Sequence, residues 1–201
     1  MRHAFPMGSR RRITATTCKV DAARGGTSSP FLFGGVDPRS GELYAHFHFE
    51  GVGWGGREGM DGNEMIVTIN SNCRHTPVEV FETRYLAFLI EEYRLLPDSG
   101  GPGEFRGGLG GGNGARGGIW VKCAADTEWQ TFVEAFGTMS PSKYSRIRLH
   151  PGDQVRLTMP GGGGYGNPQR RDQASLAHDI EEGFVTAERA QTEYGYGQGG
   201  K

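Results

Sequence analysis

The sequence predicts an α+β fold that is mainly β, with short strands joined by Gly-rich loops and a helical hairpin at the C-terminus. Three observations lead there. Apolar and polar residues alternate with period two in several short runs, 35 of the 201 residues are glycine, and helical spacing marks the last 30 or so residues as different in kind. The organisation expected is an irregular lead-in over residues 1–30, a β-rich domain over 31–168 and a helical tail over 169–201.

The elements follow in order. The polar lead-in closes on Gly25-Gly26-Thr27-Ser28-Ser29-Pro30, which punctuates the chain. From Gly41 to Glu50, Leu43, Ala45, Phe47 and Phe49 alternate with Tyr44, His46, His48 and Glu50, the period of a half-buried strand. Met65, Val67 and Ile69 predict a second strand over Asn63 to Ser71. Val78 to Leu96 reads as a short helix turning into a strand. Between Gly100 and Gly118, 11 of 19 residues are glycine, so no regular element is expected. Ile119–Cys123, Glu128–Phe136, Arg146–Leu149 and Gln154–Met159 are expected as short strands, with a turn at His150-Pro151-Gly152-Asp153 and a Gly-rich loop over Pro160–Pro168. In the tail, Leu176 and Ile180 mark a helix over Asp172–Glu182, Gly183 suits its C-terminal cap, and Thr186 suits the N-cap of a second helix through Tyr194.

Composition narrows the function classes. Twenty-two Lys and Arg balance 23 Asp and Glu, a net charge of -1, so nothing attracts nucleic acid or an anionic membrane over long range. The longest apolar run, Tyr85 to Ile90, is far short of the roughly 20 residues that span a bilayer. Met1 to Arg12 has no apolar h-region, so a soluble cytoplasmic protein is expected. Cys18, Cys73 and Cys123 are an odd number without CxxC spacing and suggest neither a disulfide framework nor a thiolate zinc site.

Several motifs could carry chemistry. Gly112/Gly114/Gly117 and Gly161/Gly163/Gly166 both match GxGxxG. The first precedes a strand, and the second has no returning parallel strand after it, so neither sits in a dinucleotide-binding unit. No Walker-type phosphate loop is present. His46 and His48 project from one face of a strand with Glu50 next in line, a weak candidate for a divalent metal beside the plainer reading of a solvated strand face. The stretch from Asn70 to Glu79 is the densest polar run. Cys73 and His75 could pair as thiolate and imidazole, but the favoured reading is structural, with Thr76 capping, Pro77 at the first helical position and Glu79 closing a capping box. Asn72, His75, Thr76 and Glu79 remain the candidate catalytic residues, and Gly161, Gly162, Gly163 and Gly164 the candidate substrate loop, whose peptide N–H groups could face a carboxylate. A tight structural turn is the competing reading of those glycines, strained by any side chain if φ is positive there.

Six motifs in order carry a resemblance. They are Gly34-Gly35-Val36-Asp37-Pro38; Gly53-Trp54-Gly55-Gly56-Arg57 with Asp61-Gly62; Asn72 to Glu79; Asp98-Ser99-Gly100-Gly101-Pro102-Gly103; Arg106-Gly107-Gly108-Leu109-Gly110; and Pro151-Gly152-Asp153 followed by Pro160 to Gly166. The chain from about residue 30 onward resembles the C-terminal part of the hydantoinase B/oxoprolinase family. The resemblance implies a fragment or subunit of an ATP-dependent enzyme that opens cyclic amides such as 5-oxoproline and hydantoins. It leaves open a subunit of an ATP-dependent ketone carboxylase of the acetone or acetophenone type, or a non-catalytic assembly module. The partners it implies are an A-type subunit that handles ATP and the remainder of the B-type subunit, which carries the metal-binding His/Asp motifs. No cofactor is then bound by this chain alone, while ATP and a divalent metal belong to the complete enzyme. Compared with the family, Gly107 to Gly118 serves as the end of one Gly-rich loop and the start of another, as a deletion between two such loops would leave it. His75 stands where the family commonly has Asn. A fragment of this kind should leave Phe47, Phe49, Val67, Ile69 and Ile90 partly uncovered.

Overall fold

The structure is a computed structural model and describes residues 21–26, 30–67, 77–112 and 117–197. It is α+β and mostly β, built from small antiparallel sheets with a C-terminal helical hairpin. β1 (Phe31–Val36) and β2 (Leu43–His48) form an antiparallel hairpin in which Phe33 faces His46 and Val36 faces Leu43. α1 (Val78–Arg84) packs on it. Phe33 lies among Phe81, Tyr85 and Phe88 at ring-centroid distances of 5.8, 5.7 and 4.1 Å. Arg39, held by Asp37, donates to the Thr83 and Arg84 carbonyls and so closes the end of α1 onto the hairpin.

The second sheet has the order β4-β3-β5, from β3 (Gly118–Lys122), β4 (Gln130–Thr131) and β5 (Gln154–Thr158). α2 (Phe132–Phe136) follows β4 directly, and Ile119, Val121 and Phe132 form the buried centre there, with Tyr144 stacked on Phe132 at 4.1 Å. A 3-10 turn (Pro168–Arg170) leads to α3 (Gln173–Glu181) and α4 (Ala187–Tyr194), whose centre is Leu176, Val185, Ala190 and Tyr194.

The tail folds as its caps predict. Asp172 accepts from the Ser175 N–H, Gly183 has φ +71, and Thr186 accepts from the Arg189 N–H. Other local expectations need correction. No strand forms over residues 63–67, where only Ile66 bridges Val52 and Met65 has φ +46; residues 68–71 lie outside the described residues. Glu128–Phe136 is a two-residue strand and then a helix, because Thr131 and Glu134 form a reciprocal capping box that starts α2. Arg146 has φ +61, which breaks the expected strand over Arg146–Leu149, although Ile147 and Leu149 still pack against the sheet. After α1 no strand follows; Leu95 makes an isolated bridge to Gly111. Pro77 is the N-cap of α1 and makes no side-chain cap bond, so Glu79 is the second helical residue instead of the third.

The hairpin's burial runs opposite to its polarity. Tyr44, His46 and His48 turn inward onto α1, while Leu43 and Phe47 are exposed. Phe49 is exposed too, and Val67 and Ile90 are half-buried; Ile69 lies outside the described residues.

Candidate functional site

Parts of four of the six family-like motifs converge on one place, a core made of backbone. The loops around Gly53–Gly56, Asp61–Met65, Ser99–Gly103, Arg106–Gly112 and Pro160–Tyr165 run side by side. Their peptide groups bond from loop to loop: Gly53 N–H to Pro160 O, Gly62 N–H to Arg106 O, Gly101 N–H to Gly162 O, Gly108 N–H to Trp54 O and Gly162 N–H to Gly108 O, all between 2.7 and 2.9 Å. Ala22 and Ala23, from the lead-in, join the set through Gly56 and Gly163. Buried peptide groups must be paired, and here segments with almost no side chains pair with one another without forming a regular sheet.

That geometry explains the glycines of the candidate substrate loop. None of Gly161 to Gly164 has positive φ; the left-handed residue is Gly166, at φ +78. A Cβ would instead overlap the Ser99 carbonyl at Gly161, the Trp54 carbonyl at Gly162 and the Pro102 carbonyl at Gly164. At Gly163 the nearest atoms stand at 3.4 Å, ordinary van der Waals contact. The N–H groups of Gly162 and Gly163 are engaged by Gly108 and Ala23.

A buried charge network clamps the helical tail to this core, and sequence reasoning missed it. Arg106 donates to Asp179 (3.3 Å), to Glu64 (2.8 Å) and to the Gly107 carbonyl (2.8 Å). Arg171 donates to Asp61 through two nitrogens (2.8 and 2.7 Å), to Asp179 (3.0 Å) and to the Glu104 carbonyl (3.2 Å). Burial alone would raise the Asp61 carboxyl, but the Arg171 guanidinium outweighs it and holds the group below its ordinary value. The same pairing keeps Arg171 charged despite burial. Two clefts, of about 330 and 410 Å³, flank the network between the Met60 loop and α3. Arg171 spends its donors on Asp61, Asp179 and the Glu104 carbonyl, and Arg106 reaches Asp179, Glu64 and the Gly107 carbonyl, so the network holds the tail to the loops. The signal in the sequence was Asp179 itself, an acid three residues after Leu176 on the buried stripe of α3.

The histidines are brought together on the inner face of β2, with ring centroids 6.0 Å apart. His46 Nδ1 bonds the Tyr85 hydroxyl at 2.8 Å, and burial holds its imidazole below the ordinary value. His48 Nε2 meets the buried Glu50 carboxylate at 2.5 Å, and the Tyr93 hydroxyl donates to the same carboxylate at 3.0 Å. Burial, then Glu50, raises the Tyr93 phenol. Among the described residues no group of three potential ligands converges on a metal position. Glu79 is exposed on the first turn of α1; Asn72, His75 and Thr76 lie outside the described residues.

The model of the family described as hydantoinase B/oxoprolinase matches residues 11–111, just over half of the chain. A protein of Pseudomonas sp., provisionally named as the B-type subunit of a D-/L-hydantoinase, is 29% identical over 168 residues, covering 71% of this chain and 27% of its own length. The beta chain of the caprolactamase of Pseudomonas jessenii is 27% identical over 233 aligned positions, covering 97% of this chain and 37% of its own. That alignment is longer than the chain's 201 residues, so it opens gaps in this chain. In fold, the chain resembles the nucleotide-free structure of acetone carboxylase with a TM-score of 0.64 at 18% identity, over 88% of this chain and 30% of that one. The chain thus spans between about a quarter and just over a third of the length of these two curated relatives. No helix among the described residues is long and apolar enough to cross a membrane.

Proposed function

The chain belongs to the hydantoinase B/oxoprolinase family, and from that premise we propose that it is the C-terminal part of the B-type half of an ATP-dependent enzyme opening cyclic amides, of the 5-oxoproline and hydantoin class. Its contribution is architectural. The observation that carries this is the glycine core: the motifs around Gly53–Gly62, Asp98–Gly103, Arg106–Gly110 and Pro160–Gly166 engage one another's backbone, and the tail is held to them through Arg106, Arg171 and Asp179.

In this reading the A-type subunit handles ATP, the remainder of the B-type half supplies the divalent metal, and the complex works in the cytoplasm. Two descriptions of relatives support the reaction class, one naming a hydantoinase and the other a caprolactamase. The Glu50–His48 pair is an arrangement suited to proton handling, since a buried carboxylate fixes an imidazole through Nε2.

The test is an assay of the purified chain with ATP, magnesium or manganese, and 5-oxoproline or hydantoin. No turnover is expected, because the parts that bind ATP and metal are supplied by the partners. Turnover by the chain alone overturns the proposal.

A further inference from the structure

Among the described residues, one face of the β1–β2 hairpin is left uncovered. Its inner face is taken by α1, but the outer face presents Leu32, Val36, Leu43, Ala45 and Phe47, with Phe49 set edge-on to Phe47 at 4.2 Å. The cross-strand pairs Leu32/Phe47 and Val36/Leu43 stand 66%/44% and 58%/85% exposed, and no charged or polar side chain interrupts them. In a chain with 22% charged residues, this inversion of inside and outside costs solubility unless the face is covered.

We infer that this face is the seat on which the rest of the B-type body packs, an inference that rests on the family reading above. The chemistry of the face and the size of the relatives argue for that occupant. A wholly apolar, uncharged patch fits a permanent interface of the kind that resembles a divided core, whereas transient partners meet more polar surfaces. The relatives carry well over half of their length outside the part matched here, so in them the body available to cover such a face is large. A two-stranded hairpin is also marginal by itself and gains from a second packed side.

The experiment co-expresses the tagged chain with the A-type subunit and the B-type remainder and compares wild type with Leu43→Asp/Phe47→Asp. Leu43→Lys alone, at the most exposed position of the face, is a second variant that disturbs the fold least. Thermal melting checks that each chain still folds. The inference expects wild type to recover the B-type remainder and the folded variants to recover about tenfold less, since a charge must be desolvated in an apolar seat. Equal recovery by the variants overturns it, as does failure of wild type to recover the remainder. Loss of self-association alone, seen by sedimentation with recovery intact, would make the occupant a second copy and also overturn it; loss of only the A-type subunit would do the same. Failure of the underlying family reading looks different: wild-type complexes that assemble but never open a cyclic amide with ATP.

Discussion

Two adjacent glycines in the loop after β5 meet different surroundings, and the difference can be measured. A methyl group at Gly162 would overlap the Trp54 carbonyl, an atom fixed by its own bond from the Gly108 N–H, whereas at Gly163 it would rest at 3.4 Å from Ala23. Gly162→Ala should therefore lower stability by about 1–3 kcal/mol or more, as overpacking against backbone does. Gly163→Ala should fall within about 0.5 kcal/mol of wild type or slightly above it, because the unfolded chain loses freedom. Urea midpoints compare the two, and equal losses would refute the close-packing argument. Sequence alone could not separate them, since four consecutive glycines look alike until the backbones they touch are known. Positive φ, the condition on which backbone strain would rest, is absent from Gly161 to Gly164; at Gly161, Gly162 and Gly164 glycine is required by close approach, with ordinary backbone angles.

At the scale of elements, the tail was legible because its signals are local. Asp172, Gly183 and Thr186 each act within four residues of their own position, and the structure uses all three. Thr186 does more than cap, since its N–H and hydroxyl both donate to Asp98, so Thr186→Ala should cost about 1 kcal/mol or somewhat more in thermal unfolding. The clamp was illegible because Arg106, Arg171 and Asp179 are distant in sequence and meet only after folding. Asp179→Asn would leave two buried guanidinium groups short of charge and should cost about 3–5 kcal/mol. The acid limb reports on Asp61: its carboxyl is depressed by Arg171, so its contribution is full above the unfolded value near pH 4 and fades as pH falls through the lower folded value. The stability gap between wild type and Asp61→Asn should be constant from about pH 5 to 7 and shrink below about pH 4; a gap that widens on acidification would reverse the assignment.

For the whole molecule, the fold class and the order of motifs could be read from the sequence, but what the motifs do could not. Period-two alternation located β2 yet gave no hint that its histidines face α1 and its leucine and phenylalanine face solvent, because that choice is made by what packs on each side. Gly-rich stretches read as loops between elements, whereas the structure makes them the centre. We propose that this backbone core holds the shape while partners supply ATP and metal. The most direct test is ATP-dependent opening of 5-oxoproline or hydantoin by a reconstituted mixture of this chain, the B-type remainder and the A-type subunit, measured with and without the chain. Turnover is expected only when all three are present. Full turnover in the absence of this chain, or turnover by this chain in the absence of the others, would contradict it.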